Sequence, residues 1–119
     1  MRIKILLSSA LLMVLVINGC KKSSKDTPPA PVTATPGANE VFIQNTAFTP
    51  ASITVSVNTT IKWTNKDNLS HTVTSNTGLF DSGIIGINGG TYSHQFTTAG
   101  TFLYYCQIHS GMSGTVIVQ

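Results

Sequence analysis

From Glu40 to the C-terminus the chain alternates apolar and polar residues with a period of two, in short runs. Ile53, Val55 and Val57 alternate with Ser52, Thr54 and Ser56. Ile61 and Trp63 alternate with Lys62 and Thr64, and His71 and Val73 with Thr72 and Thr74. Val41–Ile43, Tyr92–Phe96, Thr101–Cys106 and Thr115–Val118 complete the set. Successive side chains of a strand point to opposite faces, so this pattern means half-buried strands. Turn-forming residues separate the runs: Asn45-Thr46, Asn58, Asn65 to Asn68, Asn88-Gly89-Gly90, Ala99-Gly100 and Gly111 to Gly114. Gly89-Gly90 reads as a hairpin turn. No stretch carries a helical period. About seven short strands at this spacing predict an antiparallel sandwich or barrel. Trp63, Phe96, Phe102 and Tyr104 fall on alternating positions and are expected in its core, where large aromatics dominate. His94 shares their parity, as a partly buried strand residue. Asp81 sits in a Phe-Asp-Ser-Gly turn, where Asp commonly bonds its own backbone.

The preceding residues cannot belong to such a core. Arg2 and Lys4 open an apolar run, Ile5–Ile17, of 13 residues. A spanning helix needs about 20, so the run is short for a permanent anchor and right for an export signal. It ends at Asn18-Gly19-Cys20, which resembles a bacterial lipoprotein signal. That resemblance implies cleavage before Cys20 and lipidation of its sulfur, anchoring the exported chain to a membrane in the cell envelope or periplasm. Residues 21–39 hold four of the five prolines and no aromatic residue. They cannot bury enough apolar area to offset their ordering entropy. Extended, such a tether reaches about 60 Å. The expected division is a signal peptide at 1–19, lipidated Cys20 with a flexible linker at 20–39, and one β domain at 40–119.

The charges follow the same division. Charged residues make up 9% of the chain, against roughly 25% in a typical soluble domain. The formal net charge is +3. Arg2, Lys4 and the cluster of Lys21, Lys22, Lys25 and Asp26 contribute +4. The domain itself, with Lys62 and Lys66 against Glu40, Asp67 and Asp81, carries −1. A near-neutral domain without clustered Lys and Arg is not a nucleic-acid binder.

The chemistry is concentrated near the C-terminus. Cys106, His109 and Met112 fall within seven residues in the run YCQIHSGM. Cys106 closes a strand, and a tight Gly-containing loop can return His109 and Met112 toward its sulfur. His71 begins another strand, and strand ends of a sandwich gather at one pole. Each residue alone has an ordinary explanation: chance spacing, packing, a surface histidine. Together they offer one thiolate, two imidazoles and one thioether. Cys106 would otherwise be a lone thiol in an oxidising compartment once Cys20 is lipidated. Met112 is the only methionine beyond the signal segment. Thiolate plus thioether favours copper over Mg, Ca or Mn, and zinc rarely takes Met. A trigonal His₂Cys set with a weak axial Met is the blue-copper arrangement. A bound metal would also help a domain whose core is marginal for its size.

These residues carry a family resemblance. From Phe42 onward the chain resembles cupredoxins of the plastocyanin and amicyanin type. The matching pieces are Phe48-Thr49-Pro50, Ile53-Thr54-Val55, Ile61 to Asn65, His71 to Ser75, Phe80 to Gly83 and the closing YYCQIHSGMSGTVIV. The short C-x-x-H-x-x-M spacing is the amicyanin-like form. The resemblance implies an all-β Greek-key sandwich of seven or eight strands, with His71, Cys106, His109 and Met112 as ligands of one type 1 copper ion cycling between Cu(I) and Cu(II). It also implies that His109 lies near the surface and passes electrons through its exposed edge. The residue after the first His is often Asn in these families and ties the ligand loops together. Here it is Thr72, whose hydroxyl can make a similar bond.

The function expected is a one-electron carrier exchanging electrons with protein partners such as a cytochrome, a dehydrogenase or an oxidase. The chain is expected to be a monomer. With few charges, docking should use a modest apolar patch, not electrostatic steering. Tyr105, opposite in parity to the core, should point outward. A copper storage or delivery protein would use the same ligands. An interaction module with a fortuitous ligand set is the third reading. Catalysis is not expected: four donors leave no open position for substrate. The chain has no paired carboxylates, no Ser-His-Asp arrangement, no phosphate loop and no further His cluster.

Overall fold

The computed structural model describes residues 34–119. The expected signal peptide, Cys20 and the expected linker up to residue 33 lie outside the described residues. Eight strands follow in order: β1 (Glu40–Gln44), β2 (Ala47–Thr49), β3 (Ser52–Val55), β4 (Thr59–Asn65), β5 (Thr74–Ser75), β6 (Thr91–Phe96), β7 (Gly100–Tyr105) and β8 (Ser113–Val118). They form two four-stranded sheets, ordered β2-β1-β4-β6 and β3-β8-β7-β5. The fold is an all-β Greek-key sandwich, as expected.

The strand pairing refines the expectation of an antiparallel sandwich: both sheets are mixed. β1 runs parallel to β4, with Val41 opposite Trp63, and β3 runs parallel to β8, with Ile53 opposite Val116. The chain leaves the first sheet after β2 and enters the second at β3, so each sheet gains one parallel neighbour. Period-two patterning is the same in both kinds of pair, which is why the sequence does not distinguish them. β2 was not among the expected strands. It pairs back onto β1 through a two-residue turn at Asn45-Thr46, with Gln44 opposite Ala47. Both turn residues have positive φ, the backbone that such a tight hairpin needs.

The core lies between the sheets. Trp63, Phe96 and Tyr104 are buried as expected, whereas Phe102 is only partly buried against the cluster. Tyr104 meets Trp63 edge to face at 5.5 Å and Phe48 at 4.7 Å. Its ring lies over Gly114 on β8, where a Cβ would collide with it. Burying an aromatic side chain of this kind contributes roughly 2–3 kcal/mol.

Two further expectations change. Residues 71–75 do not alternate: all five are buried. On one side the stretch is bonded to residues 80–85, with His71 paired to Ile85 and Ser75 N–H donating to Phe80 O at 2.9 Å. On the other, Thr74 and Ser75 pair with β7. Besides being paired along both edges, the segment is buried on both faces, so it has no solvent face. The Asn88-Gly89-Gly90 turn does not join two paired strands. It packs on the end of β4, where Gly89 N–H donates to Asn65 O at 2.8 Å, and then leads into β6.

Candidate metal centre

β7 ends at Tyr105 and β8 begins at Ser113, directly opposite each other in the ladder. The residues between them form a hairpin loop that carries Cys106, His109 and Met112. Two backbone bonds fold the loop on itself. Cys106 N–H donates to Met112 O at 3.0 Å and Met112 N–H to His109 O at 3.4 Å. Gly111, at φ 80°, supplies the left-handed residue that turns the chain back before Met112. Cys106 and Met112 are buried and His109 is half-buried.

His71 reaches the same point from the segment after β4. Its Nδ1 lies 3.9 Å from Cys106 Sγ, and His109 Nδ1 lies 3.6 Å from the same sulfur. The three donor atoms all fall within 4.8 Å of one another. The imidazole centroids are 4.6 Å apart. His71, Cys106, His109 and Met112 thus form an arrangement like a type 1 copper site. His94 does not join it. It packs half-buried between Phe80 and Phe96, at 4.7 and 4.9 Å, and burial lowers its pKa from the usual value. Asp81 behaves as expected, accepting from Gly83 N–H at 2.9 Å.

The surroundings hold the donors in place. Thr72 ties the two ligand segments together: its hydroxyl accepts from Gln107 N–H at 2.8 Å, and its own N–H donates to Cys106 Sγ at 3.4 Å. That is the bond expected of this position. An N–H aimed at the sulfur stabilises the thiolate. Asn65 and Asp67 were read only as turn residues. Asn65 is fully buried, and its side-chain amide donates to Leu69 O at 2.8 Å and Gly86 O at 3.0 Å. Asp67 Oδ2 lies 2.9 Å from His71 Nε2. Burial alone would raise the Asp67 pKa. The Thr46 and Asn45 N–H groups and His71 outweigh it, so the carboxyl lies below its ordinary range. An ionised carboxylate only accepts, so the hydrogen must sit on Nε2. In the neutral ring that leaves Nδ1 bare and facing Cys106. A carboxylate four residues before a candidate ligand histidine was the available sequence signal.

The family described as Cupredoxin-like domain matches residues 9–118 of the chain. Plastocyanin from Scenedesmus fuscus is 32% identical over 84 residues, spanning 60% of this chain and 86% of that protein. Among solved structures, a reduced Cu(I) form of an amicyanin variant superposes with a TM-score of 0.64 at 28% identity, covering 73% of this chain and 87% of that one. A copper-containing nitrite reductase from Thermus scotoductus superposes with a TM-score of 0.63 at 25% identity, over 72% of this chain but only 23% of that larger one.

Proposed function

The chain belongs to the family of cupredoxin-like domains, and from that membership and its donor geometry we propose that it is a one-electron carrier. The cofactor is one copper ion. Convergence of two imidazole Nδ1 atoms and one thiolate sulfur is the observation that carries this reading. Bonds of about 2.0 and 2.3 Å meeting near a trigonal angle put nitrogen and sulfur donors about 3.7 Å apart. The observed separations of 3.6 and 3.9 Å match that requirement.

His71, Cys106 and His109 would hold the copper, with Met112 as a fourth and weaker donor that would tune its potential. Copper supplies the one-electron couple. The protein supplies donors that need not move when the charge changes. Cys106 is fixed by the Thr72 N–H and its own bond to Met112 O, and His71 by Asp67 and the Ile85 pairing. His109, half-buried in the loop, offers an edge near the surface. Leu69, Ile84, Ile87 and Ile108 are exposed apolar side chains on the segments that carry or pair with the donors. They are proposed as the docking surface for a redox protein such as a cytochrome, dehydrogenase or oxidase.

The reading extends to location and state. Residues 1–19 act as a lipoprotein signal, Cys20 carries the lipid, and residues 20–39 tether a monomeric domain (40–119) to a membrane of the cell envelope. The sequence around Cys20 supports this. The protein is proposed not to be an enzyme, because four side-chain donors fill the site. Copper storage or delivery is the alternative use of the same ligands. Two measurements on the copper-loaded chain separate them: the reversible one-electron potential with its self-exchange rate, and the rate of copper loss to a chelator. Fast self-exchange with slow loss is the expected result. Rapid loss without efficient self-exchange would mean delivery.

A further inference from the structure

The hairpin turn between β1 and β2 is strained and faces the metal centre's support. Asn45 has φ 54° and Thr46 has φ 56°. The left-handed region is tolerated by Asn but is an outlier for a β-branched residue such as Thr. Glycine would serve a plain turn here without that cost. Successive N–H groups of a turn can aim into one concavity, which is a binding site for an anion. Both N–H groups are occupied by one carboxylate. Asn45 N–H donates to Asp67 Oδ1 at 2.7 Å and Thr46 N–H to Asp67 Oδ2 at 3.0 Å. The same Oδ2 lies 2.9 Å from His71 Nε2. The Asp67 backbone is fixed as well, its N–H donating to Asn65 Oδ1 at 2.9 Å, and Lys66 N–H bonds back to Ile43 O on β1 at 2.8 Å.

We propose that the Asn45-Thr46 turn is an anion-binding nest for the Asp67 carboxylate, and that through Asp67 it sets the tautomer and orientation of His71. Asp67 and the two turn residues are positioning residues. A carboxylate rotating freely could meet His71 from several directions. With both oxygens held by the turn, it presents one lone pair to Nε2. The turn in exchange is held in its strained form by the two bonds it donates. A negative charge behind an imidazole ligand raises its basicity and favours the more highly charged metal state. This last consequence rests on His71 being a copper ligand, as proposed above; the tautomer claim does not.

The test compares four forms of the full chain: wild type, Asp67→Ala, Thr46→Gly, and a variant with one glycine inserted between Asn45 and Thr46. The insertion separates the two N–H groups. Nitrogen chemical shifts of the His71 ring are read first, without metal. A single Nε2–H tautomer is expected in wild type and in Thr46→Gly, and a mixture in Asp67→Ala and in the insertion variant. Thr46→Gly keeps both N–H groups and relieves strain, so its folding constant should rise about fivefold. Copper-loaded Asp67→Ala should show a higher reduction potential than wild type. Asp67→Asn, which keeps the volume and removes the charge, replaces the alanine variant if that fails to fold and should raise the potential too. An unchanged His71 tautomer in Asp67→Ala would overturn the proposal. A shifted tautomer in Asp67→Ala with none in the insertion variant would remove the turn from it. If the chain binds no copper while the tautomer still shifts, the copper reading fails and the nest stands.

Discussion

At the scale of single residues, the centre depends on side chains that do different work at short range. Thr72 joins two segments through one hydroxyl. Thr72→Ala removes the acceptor of the Gln107 N–H, and should cost about 1 kcal/mol of stability in denaturant unfolding. It should also speed copper loss to a chelator, because the loop bearing Cys106 is no longer tied to the segment bearing His71. Met112 is buried at the loop's far end. Met112→Leu keeps the volume but removes one donor and makes the site more apolar, which disfavours the more highly charged Cu(II), so voltammetry should show copper retained at a higher potential. Cys106, His109 and Met112 were legible in the sequence because they are close together and each is scarce. His71 was legible because soft donors elsewhere are few. Asp67 was not. Its role depends on meeting Asn45, Thr46 and His71 at once, and the first two contacts are 22 and 21 residues away in the chain.

Elements bring those residues together by pairing, and pairing is what the sequence conveys least. Most strand positions were legible from period two. The β1·β4 and β3·β8 parallel pairs were not, because alternation looks the same whichever way a neighbour runs. The stretch around His71 was misjudged for a different reason: its sequence alternates, but both of its faces are buried, so its polar threonines are covered along with His71 and Val73. The start of β1 is clamped to β4 by Glu40, which accepts from the Thr64 hydroxyl at 2.6 Å and pairs with Lys62 at 2.9 Å. The Thr64 bond and Lys62 pull its pKa from 4.5 down to about 2. A depressed carboxyl pKa stabilises the fold above the unfolded value and loses that contribution as pH falls through the folded one. Stability should therefore decline between pH 4.5 and about 2, and Glu40→Gln should remove that slope. The effect should be about 1 kcal/mol after allowance for solvent screening of an exposed lysine partner. In β8, Gly114 leaves room for the Tyr104 ring. Gly114→Ala should destabilise by about 2 kcal/mol in thermal or denaturant unfolding, because a buried ring must shift.

For the molecule as a whole, the sandwich is small and its metal should matter to its stability. A ligand that binds only the folded state, present at a hundredfold excess over its dissociation constant, adds about 2.7 kcal/mol. For a domain of this size, removing copper should then lower Tm by about 10 °C or more in calorimetry. The proposed division of the chain rests on composition, which changes abruptly along it: basic and apolar, then proline-rich, then alternating. The domain's small net charge follows from its composition in the same way, and it suits the proposed apolar docking surface better than a steered encounter. The central claim is that Cys106, with two histidines, holds copper in a type 1 site. The most direct measurement is the visible absorption spectrum of the purified chain loaded with Cu(II), compared with Cys106→Ala. An intense blue charge-transfer band that disappears in Cys106→Ala is the predicted result. No intense blue band, or one that survives in Cys106→Ala, would contradict it.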